Sequence, residues 1–129
     1  RTAMRLLGRL AVHLAQVAAN RANQRRQLRF LLLAAKARAN HGQDEAAIRS
    51  YRQAEALARE LHDEDAAATA RIGIANGELD CGRLLSAIAL LEALHDELAQ
   101  RTGDTADALA AQAHGLHGRI LLYRGQAQD

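Results

Sequence analysis

Apolar residues return every third or fourth position along most of this chain. In one stretch they fall at Leu28, Leu31, Leu32, Ala35 and Ala39, and in the next at Ala47, Ile48, Tyr51, Ala54, Ala58 and Leu61. This spacing sets one apolar stripe on each of two helices. Between them Asn40-His41-Gly42 is a break so short that only an antiparallel helix pair can use it. The same pattern predicts six helices near 2–21, 25–40, 44–62, 65–81, 84–101 and 105–123. The breaks fall at Asn20 to Asn23, Gly42, His62 to Asp65, Gly82, Thr102 to Asp104, and Gly125. All these connections are short, so neighbours in the chain are expected to pack antiparallel. The breaks at His62-Asp63-Glu64-Asp65 and Thr102-Gly103-Asp104-Thr105 place acids at helix starts, where free N–H groups and the macrodipole favour them.

The pattern repeats. Laid without gaps on 65–104, residues 25–64 bring Ala35 onto Ala75, Gly42 onto Gly82, Ala47 onto Ala87 and Ile48 onto Ile88. Asn40 meets Asp80, and Tyr51 meets Leu91. A third copy sets Gly118 and Gly125 each three residues past the Ala35 and Gly42 positions. Small residues recur where helices must approach closely and large ones where a gap must be filled. Similarity at a fixed period points to stacked hairpins, each burying its face against its neighbours.

At these residues the chain resembles the tetratricopeptide repeat (TPR) family. Ala35, Gly42, Ala47, Tyr51 and Ala54 follow the family's order of small residue, turn glycine, small, aromatic, small. The second unit keeps Ala75, Gly82 and Ala87 but has Leu91 and Leu94 where the aromatic and the last small residue belong. The proline usual after the second helix is missing, and the period is forty residues where the family has about 34. The resemblance covers about 25–125 and is closest to the divergent arrays of bacterial regulators. It implies an all-α, right-handed solenoid of about six helices. Helix 2–21 would be the second helix of a preceding repeat, followed by repeats 25–64 and 65–104 and a partial repeat 105–129. It also implies a concave groove lined by the first helix of each repeat, of the kind that holds a peptide or a partner helix. Family geometry sets Arg29, Leu32, Lys36 and Asn40 on that wall, then Asn76 and Asp80, then Arg119 and Tyr123. Two rows result, Lys36–Asn76–Arg119 and Asn40–Asp80–Tyr123. A Lys and an Arg flanking an Asn suit a carboxylate or a peptide backbone. Leu32 stands where the family's C-terminal-carboxylate clamp has its first lysine, so that ligand is not expected.

Composition narrows the reading. The chain has 129 residues, enough for one domain over 1–129, with no proline, three aromatic residues (Phe30, Tyr51, Tyr123) and no β-branched run long enough for a strand. Phe30, set among the leucines of its helix, reads as core. No apolar stretch reaches the roughly eighteen residues of a membrane span. The start lacks an initiator Met and carries Arg and Gln through its apolar part, so it reads as a helix cut from a longer protein. Gly125 reads as a turn glycine, with GQAQD opening a missing helix. Cys81 is the single cysteine, so no internal disulfide can form. It reads as a partly buried structural thiol, in keeping with a cytoplasmic protein.

Charge divides the chain. Residues 1–43 carry nine basic groups and no acid, while residues 44–129 carry eight basic and fifteen acidic ones, so the net +2 joins a +9 segment to a −7 segment. Arg21, Arg25, Arg26 and Arg29 are the densest basic group. Such asymmetry can mark a nucleic-acid or anionic surface, although of the aromatic partners that nucleic-acid readers use only Phe30 is at hand, and it reads as core.

Catalytic chemistry finds little support. His114 and His117 share a helix face, but no third metal ligand has matching spacing. His13, His41, His62 and His95 are scattered, Ser50 and Ser86 have no base and acid in register, and Asp63, Glu64 and Asp65 suit capping. No enzyme activity, metal or cofactor is expected. The expected function is a protein–protein interaction scaffold, a regulatory or sensor segment of a larger bacterial protein such as a transcription regulator or signalling protein. Its expected partner is a protein or peptide in the groove, with no membrane contact. The alternative is anion or nucleic-acid binding through residues 1–38. Self-association through the terminal helices 2–21 and 105–123 is a third expectation, because their outer apolar faces lack stacking partners.

Overall fold

The computed structural model of the chain describes residues 2–128, with side chains through residue 125; Arg1 and Asp129, the ends of the expected domain, lie outside the described residues. It is all-α with five helices: α1 (Thr2–Asn40), α2 (Asp44–Glu60), α3 (Glu64–Asp80), α4 (Leu84–Ala99) and α5 (Asp104–Gln128). From α2 onward a helix starts every twenty residues, at 44, 64, 84 and 104. The turns explain that regularity. After α1, the Gly42 N–H donates to the Ala39 carbonyl (3.1 Å) and the Gln43 N–H to the Arg38 carbonyl (2.9 Å). After α3, Gly82 and Arg83 repeat the pattern onto Leu79 and Glu78. This closure satisfies the last carbonyls of a helix and needs one residue at positive φ. Gly42 and Gly82 supply it at φ +75° and +82°, and His62 takes the same place after α2 at φ +55°. Asp63 then caps α3 by accepting from the Ala66 N–H at 3.0 Å.

The expected break at Asn20–Asn23 is not there. α1 runs unbroken for 39 residues, a rod of about 58 Å at 1.5 Å per residue, so five helices stand where six were expected. The turn register gives the reason. Twenty residues before Gly42 the chain has Ala22, and an alanine loses about 1–2 kcal/mol in the left-handed region that this turn requires. The neighbouring Asn, Arg and Gln residues are all tolerated in a helix, so the helix continues. Gly125 is likewise no turn, because it lies inside α5. One glycine costs a helix only about 1 kcal/mol.

Each helix packs on its neighbour in the chain, and α3 also meets α1 and α5. Among the described residues, the backbones of α1 and α5 do not adjoin, nor do those of α2 and α4. The odd-numbered helices therefore adjoin one another through α3. One core cluster joins α1, α2 and α3 around Leu28, Ala54, Ala58 and Ala70. The larger one fills the space between α3, α4 and α5 with Leu79, Leu91, Leu94, Leu98, Leu116 and Ile120. Where α2 and α3 approach most closely, Gly77 lies under Ile48 and Gly73 under Tyr51. Phe30 is not core: it is 70% exposed, as is Leu33. Steps of 100° put Phe30 on the side of α1 opposite buried Leu28 and Ala35. No helix of the described residues is long and apolar enough to cross a membrane.

One buried charge ties the layers together. The Glu78 side chain is 3% exposed, with Arg83 Nε at 2.5 Å and Arg52 Nη2 at 3.5 Å. Arg83 also reaches Glu45 of α2 at 2.6 Å. The Arg83 guanidinium holds the Glu78 carboxyl below its ordinary range, against the opposing pull of burial.

Candidate functional site

Three odd-numbered helices contribute to one cavity of about 460 Å³. α1 lends Lys36, Ala39 and Asn40, α3 lends Thr69, Ile72, Gly73 and Asn76, and α5 lends Gln112, Leu116 and Arg119. On each helix these positions fall at steps of three, four or seven from the first of the set, so each set shares one face. Tyr51 reaches the same cavity from α2. It can do so because Gly73 has no side chain: a Cβ there would stand 2.5 Å from the tyrosine ring. Ile72, Leu116 and Tyr51 make an apolar floor, while Lys36, Asn40, Asn76 and Arg119 make a polar rim.

The rim is partly organised by its own contacts. Arg119 Nη1 donates to Asn76 Oδ1 at 2.9 Å, and its Nη2 stands 3.8 Å from Asp80 Oδ1. A guanidinium has five N–H donors, so Arg119 keeps donors for a ligand after binding Asn76. Lys36 is exposed and takes part in no ion pair among the described residues. Burial, helped by Asp44, pushes the Asp80 carboxyl up, with Arg119 pulling the other way. Burial also pushes the Tyr51 phenol up. The site can therefore offer cationic and amide donors above a half-buried apolar surface.

Four of the eight residues expected on the wall line this cavity: Lys36, Asn40, Asn76 and Arg119. Asp80 stands at its edge beside Arg119. Arg29 and Tyr123 are exposed but outside the lining, and Leu32 is half-buried in the α1–α2–α3 core. Sequence reasoning placed Tyr51 on the second helix of its repeat and missed that it surfaces in the groove. The available signal was spacing: Gly73 and Gly77 are four apart, facing Ile48 and Tyr51, which are three apart.

Three histidines missed as a group also come together. The His95 ring of α4 stacks on His114 of α5, with centroids 4.4 Å apart and planes 25° apart, and lies 5.7 Å from His117. His95 Nε2 is buried without a hydrogen-bond partner. Stacked rings turn their faces, not their in-plane lone pairs, toward one another. Among the described residues no group of three His, Cys, Asp or Glu side chains is placed to hold a metal ion. Half-buried Cys81 is a free thiol pushed up by burial and by the nearby Glu45 carboxylate, which opposes thiolate chemistry.

No protein-family model, no curated protein and no solved structure matches this chain.

Proposed function

We propose that the chain is a TPR-like solenoid segment that binds a peptide or partner helix in the groove formed by α1, α3 and α5. The observation that carries this reading is the meeting of Lys36, Asn76 and Arg119, from three different helices, around one cavity floored by Ile72, Leu116 and Tyr51. Two cations and two amides above an apolar floor favour a segment that presents a carboxylate next to an aliphatic or aromatic side chain. Such a module works as a non-catalytic, cytoplasmic scaffold, a regulatory or sensor part of a larger bacterial protein. A displayed library of random peptides selected on the immobilised chain tests it. Enriched sequences should carry Asp, Glu or a free carboxylate beside an apolar residue, and should lose binding to a Lys36→Glu/Arg119→Glu variant. Enrichment that survives in that variant overturns the reading.

A second reading has one observation behind it. Among the described residues no Arg or Lys of α1 takes part in an ion pair, which leaves that long basic helix open to an anionic partner. Nucleic acid bound there would be lost steeply with added salt and would be indifferent to the groove variant.

A further inference from the structure

Arg119 is shared between two acceptors of this chain. Its Nη1 donates to Asn76 Oδ1 at 2.9 Å, and its Nη2 stands 3.8 Å from Asp80 Oδ1, too far for a hydrogen bond. A cation that an acidic ligand would meet in the groove therefore already faces a carboxylate at the groove's edge. Asp80 is badly placed to carry that charge. It is the last residue of α3, and no basic residue shares that last turn, so the negative end of the helix macrodipole opposes it. Partial burial and the Asp44 carboxylate at the start of α2 oppose it too, and Arg119 of α5 favours it. Lys36, the cation that α1 brings to the groove, makes no ion pair with it among the described residues. Beyond the Gly82 turn, Arg83 is taken by Glu45 at 2.6 Å and by Glu78 at 2.5 Å. The turn does not require the charge either. Asn40 ends α1 two residues before Gly42 as Asp80 ends α3 two residues before Gly82, and a neutral amide serves there before the same kind of closure.

We infer that Asp80 competes with an acidic ligand for Arg119, so that a carboxylate enters the groove as Asp80 takes up a proton from solvent. This rests on the groove being the ligand site and adds what regulates it. A ligand carboxylate on the remaining guanidinium donors shares one cation with Asp80 at a separation of roughly 4–6 Å, where like charges oppose each other's ionisation. A proton on Asp80 removes that repulsion and turns its carboxyl into a donor. Bound ligand thus raises the affinity of Asp80 for a proton. By linkage, binding strengthens as pH falls through the range where the bound form is protonated and the free form is not. Above that range Asp80 stays charged and weakens the hold of Arg119 on any anion. A phosphoryl dianion is repelled more than a single carboxylate, so Asp80 also selects the class of ligand.

The probe is the capped peptide acetyl-Ala-Phe-Asp-Ala-amide, in which a single charge follows one aromatic side chain. Its carboxylate stays ionised above about pH 5. Titration calorimetry of the full chain with this peptide between pH 7.5 and 5, in two buffers of different ionisation enthalpy, tests the inference. Affinity should rise several-fold toward pH 5, with net proton uptake on binding. Asp80→Asn should bind at pH 7.5 at least as tightly as the parent chain does at pH 5, with a flat profile and no proton uptake. Because Asn40 already serves at the equivalent turn, that variant should melt like the parent. Binding without proton uptake, or weaker binding by Asp80→Asn, would overturn the inference and leave the groove reading in place. No binding to either chain at any pH would remove the groove as a site for acidic ligands, and this inference with it.

Discussion

The outer ring carbons of Tyr51 sit over the backbone of Gly73, where a Cβ would come within 2.6 Å of three of them. This pair fixes how closely α2 approaches α3, and it also delivers an aromatic ring to the groove floor. Gly73→Ala should therefore destabilise the fold by about 1–3 kcal/mol, the cost of overpacking a filled site. In a Tyr51→Ala background the same change should become neutral or stabilising, because alanine is the better helix residue by about 1 kcal/mol. Urea unfolding midpoints of the four chains in that cycle measure the coupling.

The Glu78–Arg83 pair predicts both a mutational and an acid response. Arg83→Ala leaves a buried carboxylate with the longer contact to Arg52 and the Ser86 hydroxyl. It should lower the unfolding midpoint, by less than breaking a fully buried pair would, because Arg83 is half exposed. Glu78 is held below its reference value of 4.5 in the folded chain. The stability it supplies is present above that value and lost as pH falls through the folded one. Melting followed by circular dichroism between pH 6 and 3 should show this loss in the parent chain and less of it in Glu78→Gln.

His95 makes a separate prediction at milder pH. Burial first, then the nearby His114 and His117, hold its imidazole below the reference 6.5, with Asp96 opposing. The unfolded chain takes up that proton first, so stability is fully present above about pH 6.5 and declines as pH falls through the folded value. His95→Phe should keep the ring stacked against α5 and flatten the dependence of melting temperature on pH between 7.5 and 5.5. An unchanged slope would mean that His95 does not carry it.

The three turns with a shared closure offer a gain as well as a loss. His62 adopts φ +55° where Gly42 and Gly82 stand in the equivalent turns. An L-residue loses about 1–2 kcal/mol there, and glycine's extra chain entropy returns about 0.5–1 of that. His62→Gly should therefore stabilise the chain by roughly 0.5–1 kcal/mol, while Gly42→Ala and Gly82→Ala should each destabilise it by a similar amount. Thermal denaturation of the three variants decides the sign.

Most of the helical architecture was legible in the sequence because it rests on short-range rules. The three-and-four spacing of Leu28, Ala35, Ala47, Ile48, Ala54 and Ala58 named residues that the structure buries or half-buries. Gly42 and Gly82 marked turns, and Asp63 marked a cap, through backbone requirements that few residues meet. That Lys36, Asn40, Asn76 and Arg119 share one wall was an expectation from the family resemblance, which spacing along one helix could not supply. The rest depended on tertiary structure. Asn20–Asn23 looked like a break because its composition is polar, but a helix ends only where some residue can take up the closing turn, and Ala22 does not. Phe30 looked like core by type, and its angle around α1 put it outside. The meeting of His95 with His114, and of Tyr51 with Gly73, depends on how far two helices slide and how closely they pack. Spacing along one helix fixes which residues share a face, whereas the depth and register of contact between helices follow from side-chain volumes on both at once.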